Sequence, residues 1–506
     1  MAGTLTRVPL LVLLAGVLSA SMYLPSVHAL IRDDHFESRT FFYYGTIFLA
    51  LTGAVALATA RHRSRNITRS HLVALLLALT VLPLVAAAPL LEIVGDTRPV
   101  NGWLEMVAAV TTTGGSVFDP DRLSSTLHLW RALVAWQGGL LIWIAAAAIL
   151  APLRLGGFEV VQDDEADRPV SAMAIARQTL PERRILRAAG TLIPVYTALT
   201  VTLGLILAAL GEAPTTAAIH AMSTMATSGI TGPTPIQTAE AGIAGEAVIF
   251  AFLFFAVSRQ TFAADLYRGR LVHLSEDREL RIAAIVVAGV TAILFARHWI
   301  GAFEIDMSTN VPAASAALWG AAFTVLSHLT TTGFVSSEWA VARAWSGLQT
   351  ETPAVLLLGL AMFGGGVATT AGGVKLLRIF ALYAHGRREM NLLVHPHSVA
   401  GGPGAARRIP ARGIEAAWIF FMLFAVSIAT VTLGLTAAGL DFEAGLVLAV
   451  AGLSTTGPLA AAAFGPGQDL TTITDAAKFV FAAAMVVGRL ETLALIALFN
   501  PDFWRP

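Results

Sequence analysis

The 506-residue chain has no cysteine, and its sparse charge, 13% of residues, balances to zero with 33 Lys plus Arg against 33 Asp plus Glu. Without thiols there are no disulfides, thiol nucleophiles or thiolate metal sites, although the redox compartment stays open. A chain with no net basic charge is not expected to bind nucleic acid. The 12 histidines are scattered, with no pair at helical zinc-site spacing. No GxxxxGK[ST] loop, nucleophile motif or intramembrane carboxylate pair is present, so an enzyme is not expected and no cofactor is assigned to this chain. What is abundant is apolar: 56% hydrophobic residues and a mean hydropathy of +0.71 imply an all-α integral membrane protein.

The apolar chain is organised around a short hydroxyl-rich run closed by glycine, which occurs four times. The copies are Thr111, Thr112, Thr113, Gly114, Gly115, Ser116; then Thr227, Ser228, Gly229; then Thr330, Thr331, Thr332, Gly333, Phe334; then Ser454, Thr455, Thr456, Gly457. Their glycines lie 115, 104 and 124 residues apart, too far for a solenoid but suited to a small membrane unit used four times. Non-helical backbone is tolerated at membrane depth only where it is buried in protein or lines a watery cavity. Four such segments meeting at one axis would turn carbonyls inward in place of an ion's hydration shell, which predicts a cation pathway.

About ten transmembrane helices are expected. Two extra N-terminal helices occupy 1–66, about Val8 to Ile31 and Thr40 to Ala60. Arg7 and the apolar run to Ala20 resemble a signal peptide, but the run continues to Ile31 and a retained helix fits better. Four pseudo-symmetric repeats of helix, pore loop and helix follow around a central pore. They are 67–160 (filter 111–116), 161–275 (filter 226–230), 276–400 (filter 330–334) and 401–506 (filter 454–458). The second helices of the repeats run about Leu127 to Leu153, Ala244 to Tyr267, Pro353 to Tyr383 and Ala476 to Leu498. Before each filter stands an apolar stretch too short to cross a bilayer comfortably, read as a re-entrant half-helix whose partly negative C-terminal end favours a cation. Arginines crowd the links between repeats, so those links and both termini are predicted to be cytoplasmic and the filters to open outward.

The predicted cation ligands are the carbonyls of Thr112, Thr113, Thr227, Ser228, Thr331, Thr332, Thr455 and Thr456, with Gly114, Gly229, Gly333 and Gly457 permitting the turn. A gating loop is expected at 364–375. There Gly364, Gly365, Gly366, Thr369, Thr370, Gly372 and Gly373, ending at Lys375, should break the helix across the conduction path; close helix packing is the competing reading. Arg489 falls midway along the last span, where it would either pair with Glu491 or Glu443 or face the pore as a barrier to cations. Lys478 is expected to snorkel, and His220 and His328 to be packed rather than proton-carrying.

Further segments carry a resemblance. Trp130, Arg131, Trp136, Gln137, Gly138 and Gly139 open the second span of the first repeat. Gly488, Arg489, Leu490, Glu491, then Leu498, Phe499, Asn500, Pro501, Phe503, Trp504 and Arg505 close the chain. With the four filters, these segments make the chain resemble the Trk/Ktr/HKT superfamily of potassium transporters, most closely the TrkH/TrkG type, over nearly its whole length. The resemblance implies potassium as the transported ion, because all four filter glycines are kept. It also implies an intramembrane gating loop at 364–375, an arginine gate at Arg489, a homodimer in bacterial inner-membrane lipid, and a cytoplasmic nucleotide-binding regulatory subunit of the TrkA/KtrA type. Ser228 in the second filter, Pro458 after the fourth, and Arg259 depart from the family pattern. A sodium-permeable or cation:proton symporting relative, or the channel-like subunit of an ATP-driven potassium pump, are the alternatives.

Overall fold

The computed structural model describes residues 8–59, 67–160, 181–258, 277–304, 311–339, 341, 354–395, 411–464 and 469–499. Arg259 and the end of the chain from Asn500 onward lie outside them. The described residues are helical, with no strand among them. Among the described residues, seven helical stretches are long and apolar enough to cross a membrane: Leu10–Ile31, His35–Thr59, Arg69–Val94, Ser125–Leu153, Arg184–Ala209, Arg278–Ala302 and Gly413–Ala437.

Two of the second helices read from the sequence are not continuous, and a third, Gly242–Leu253, tightens into the 3-10 turn Phe254–Ala256, its expected continuation from 259 to 267 lying outside the described residues. Ala354–Phe363 and Leu376–Val394 are separated by the glycine run. Asp475–Leu490 and Thr492–Phe499 are separated at Glu491, whose φ of 62° no helix accommodates. The last break corrects the single span expected from Ala476 to Leu498. Its physical cause is charge: Glu491 leaves the helix with its carboxylate held by Arg378 at 2.7 Å.

Four short helices precede the four hydroxyl runs: Pro99–Val110, Pro214–Ala226, Val311–Leu329 and Phe442–Leu453. Three begin with proline in the first turn, which spends a missing N–H where no partner exists anyway, and the fourth follows Asp441. Each is buried along its C-terminal half, so the macrodipole's negative end points into protein rather than lipid. The surrounding spans differ in role. Ser125–Leu153 is 72% buried over its most apolar window, whereas Arg184–Ala209, Arg278–Ala302 and Gly413–Ala437 are each 22% buried and present most of their surface outward.

Candidate ion-conducting site

Each short helix ends in the same backbone device. Thr112, Thr227, Thr331 and Thr455 adopt left-handed conformations with φ of 52°, 52°, 58° and 56°. A β-branched residue rarely occupies that region, and the sequence reading assigned the turn to glycine instead. Two residues later, Gly114, Gly229 and Gly333 also have positive φ, 69°, 66° and 81°. Gly457 does not. It opens the 3-10 turn Gly457–Ala463, and Pro458 takes the place of a glycine-rich continuation.

The four segments meet as a ring. A β-carbon at Gly114 would overlap the Ser228 carbonyl oxygen, and one at Gly229 would overlap that of Thr332. One at Gly333 would stand 2.9 Å from Pro458 carbons, and one at Gly457 would overlap the Gly114 carbonyl. The fourth segment is also tied to the first by a hydrogen bond of 2.6 Å from Gly457 N to the Thr113 carbonyl. All eight hydroxyl residues named as ligands are buried.

Their hydroxyls divide into two sets. Those of Thr113, Ser228, Thr332 and Thr456 are each bonded to an earlier hydroxyl of the same segment: Thr111 at 2.8 Å, Ser223 at 3.1 Å, Thr330 at 3.1 Å and Ser454 at 3.1 Å. That pairing ties each of these side chains back to its own repeat. Among the left-handed threonines, Thr227 Oγ1 donates to the Ala226 carbonyl at 2.7 Å and Thr331 Oγ1 accepts from Gly372 N at 2.8 Å. Thr112 Oγ1 and Thr455 Oγ1 are buried without a partner. A buried polar atom left unpaired costs about 1–3 kcal/mol. Beside Gly229, Gly333 and Pro458 lies a cavity of about 380 Å³, also lined by Thr231, Gln237 and His328.

The glycine run lies directly against this ring. Gly364, Gly373 and Lys375 have φ of 72°, 75° and 82°, and every residue from Gly364 to Lys375 is buried. A β-carbon at Gly372 would overlap both the Ser454 carbonyl and Thr455 Oγ1. Thr370 Oγ1 donates to the Met225 carbonyl at 3.2 Å, and Thr369 Oγ1 to that of Gly366 at 2.8 Å. Gly365 and Gly366 press on the backbone of Ala256 and Val257, while Lys375 Nζ donates to the Ala371 carbonyl. Arg489 forms no ion pair with Glu491 or Glu443. Its Nη1 donates to the Thr370 carbonyl at 2.6 Å, and Nε and Nη2 are buried without partners.

Charged struts missed from the sequence hold these segments. Glu105, buried in the first short helix, pairs with Arg131 and accepts from Val117 N at 2.6 Å. Arg131 in turn donates to the Gly115 carbonyl at 2.9 Å. Glu246 accepts from Trp319 Nε1 at 2.9 Å, Ser336 Oγ at 2.6 Å and Ser337 N at 2.6 Å, so an acid of the second repeat grips the segment after the third run. On the far side of the glycine run, Arg378 bridges Glu159 at 2.5 Å and Glu491 at 2.7 Å and lies 3.7 Å over the Phe420 ring. Glu279 accepts from Val367 N at 2.8 Å. For Glu105, Arg131 and Glu246 the signal available was their isolation in apolar sequence, whereas Glu159, Glu279 and Arg378 have other charges near them in the chain.

Lys478 corrects its reading too. Rather than snorkelling, it is 1% exposed, with Nζ donating to Asn101 Oδ1 at 2.8 Å, because the start of the first short helix offers a closer acceptor than water. His220 is held by Glu212 at 2.7 Å and the Thr234 carbonyl, and His328 by the Thr324 carbonyl at 2.8 Å.

A family model described as a cation transport protein, TrkH, matches residues 105–505. The Trk system potassium uptake protein TrkH of Salmonella typhimurium is 29% identical, over 97% of this chain and 98% of its own. TrkG of Escherichia coli K12, also a Trk system potassium uptake protein, is 25% identical over 97% of each. The crystal structure of the potassium transporter TrkH from Vibrio parahaemolyticus superposes with a TM-score of 0.81 at 26% identity, covering 99% of both chains.

Proposed function

From the premise that the chain belongs to the TrkH family of cation transport proteins, we propose that it carries potassium into a bacterial cell across the inner membrane. The ion passes a filter made by the carbonyls of Thr112, Thr113, Thr227, Ser228, Thr331, Thr332, Thr455 and Thr456. The observation that carries this reading is the closed contact of Gly114, Gly229, Gly333 and Gly457 with the neighbouring segments. The left-handed threonine that sets each of the four turns supports a filter in which one dehydrated cation is met by carbonyls from all four segments. The relatives named above are potassium uptake proteins, which supports potassium as the cargo.

In this reading, the segment Gly364 to Lys375 is the gate and Arg489 holds it shut. The loop's backbone fills the space against the third and fourth filter segments, and Arg489 adds a positive charge beside it. Opening requires the Arg489 to Thr370 bond to break. Inward flux is driven by the membrane potential, about 2.3 kcal/mol per charge per 100 mV, so no chemistry in this chain is needed. The termini and the arginine-rich links face the cytoplasm, a homodimer is the working unit, and a nucleotide-binding regulatory subunit docks on the basic links to move the gate.

The test is cation flux into sealed proteoliposomes under an imposed potential, with the regulatory subunit present. Potassium and rubidium are expected to pass and sodium to lag. Equal sodium and potassium flux would sink the assignment of potassium selectivity.

A further inference from the structure

The least buried of the spanning helices, His35–Thr59, is 11% buried over its apolar window, yet its first turns are not simply apolar. Arg39, Tyr43, Tyr44 and Glu92 line one open groove of about 350 Å³, together with Phe36, Thr40 and Ile47. The groove sits where both its helices end, next to the link Arg32 to Asp34 and just before Gly95, the zone of a spanning helix that meets lipid headgroups. It carries one cation and one anion. Glu92 is exposed and receives the Tyr44 hydroxyl on Oε2 at 2.8 Å, while Oε1 has no hydrogen bond among the described residues. Arg39 is exposed, and its one hydrogen bond among the described residues runs from Nε to the His35 carbonyl at 3.2 Å, so its terminal nitrogens are free.

From this pairing we infer that the groove is a binding site for a zwitterionic phospholipid whose headgroup ends in a primary ammonium. The guanidinium fork of Arg39 takes the phosphate, for which its planar donors are suited. Glu92 takes the ammonium, whose N–H groups bond to the free carboxylate oxygen. A trimethylammonium headgroup has no such N–H, and an anionic headgroup with no cation leaves Glu92 facing negative charge. Below the headgroup, Tyr43, Ile47 and Leu51 follow one another at four-residue spacing on one helix face, 58%, 60% and 58% exposed, and make a track for an acyl chain. The site touches neither the filter segments nor the gate, so it stands apart from the proposed transport reading.

The experiment is native mass spectrometry of the full chain released from nanodiscs holding equal amounts of phosphatidylethanolamine, its N,N-dimethyl derivative, phosphatidylcholine and phosphatidylglycerol. The expected result is retention in the order ethanolamine, dimethyl, choline, with phosphatidylglycerol also weak. Arg39→Gln and Glu92→Gln should each cut ethanolamine-lipid retention at least fivefold, while the exposed Arg32→Gln leaves it unchanged. All three sites are exposed, and an unchanged melting curve shows that the variants fold. Equal retention of phosphatidylcholine, or retention indifferent to both groove variants, would overturn the inference. So would a second copy of the chain shielding the groove from lipid.

Discussion

Glu246→Gln tests whether the ring of four segments owes its shape to a buried carboxylate in a neighbouring repeat. The side chain is 1% exposed and accepts three bonds: Trp319 Nε1 and Ser336 Oγ on one oxygen, Ser337 N on the other. Glutamine keeps the shape and offers only one acceptor oxygen. If that oxygen faces Trp319 and Ser336, its NH₂ group meets the Ser337 N–H; turned over, it meets the indole N–H. Either way a donor faces a donor. Losing a hydrogen bond to a charged group costs about 1.5–3 kcal/mol and an unsatisfied buried donor about 1–3 more, so the site should lose about 2.5–6 kcal/mol. Because the segment after Gly333 hangs on that carboxylate, the loss should appear as sodium leak as well as a lower melting temperature. Proteoliposome flux of potassium against sodium, with Glu443→Gln on the exposed first turn of Phe442–Leu453 as control, reads both. A Glu246→Gln protein with unaltered selectivity and melting would refute the strut reasoning.

Arg489→Ala removes a charge-assisted bond to Thr370 worth about 1.5–3 kcal/mol, so flux without the regulatory subunit should rise about tenfold to a hundredfold; unchanged basal flux would remove Arg489 from the gate. Gly114→Ala should damage selectivity as much as Gly114→Ser, because the β-carbon alone already overlaps the Ser228 carbonyl. An alanine variant with intact selectivity, measured in the same flux assay, would show that the serine hydroxyl matters and the overlap does not. Arg378→Met strands the carboxylates of Glu159 and Glu491, and breaking such a buried pair costs about 3–5 kcal/mol. Thermal unfolding in detergent should show a large loss that Glu159→Gln with Glu491→Gln restores.

Local features of this protein were legible in its sequence and pairings across the fold were not. Hydrophobic runs announce a helical membrane protein, and a proline or aspartate before a short apolar stretch announces where a helix starts. The glycines from Gly364 to Gly373 announce where a helix cannot continue, and the chain does leave the helix at Gly364. By contrast, Lys478 finds Asn101, and Arg378 finds Glu159 and Glu491, at sequence distances of 377, 219 and 113 residues that no local pattern encodes. The left-handed threonines were hidden for a different reason. Propensity argues against a β-branched residue with positive φ, and only enclosure by the neighbouring segments overrides it.

The ring around Gly114, Gly229, Gly333 and Gly457 is closed by four stretches of one polypeptide, and they are not alike: Ser228 stands where the others have threonine, and Pro458 follows only the fourth glycine. In a ring of four identical subunits every inherited change is made four times at once. Here each quarter varies by itself, so, if the ring is the proposed filter, descent can adjust ion preference in single steps, one quadrant at a time, while the other three keep the pathway working.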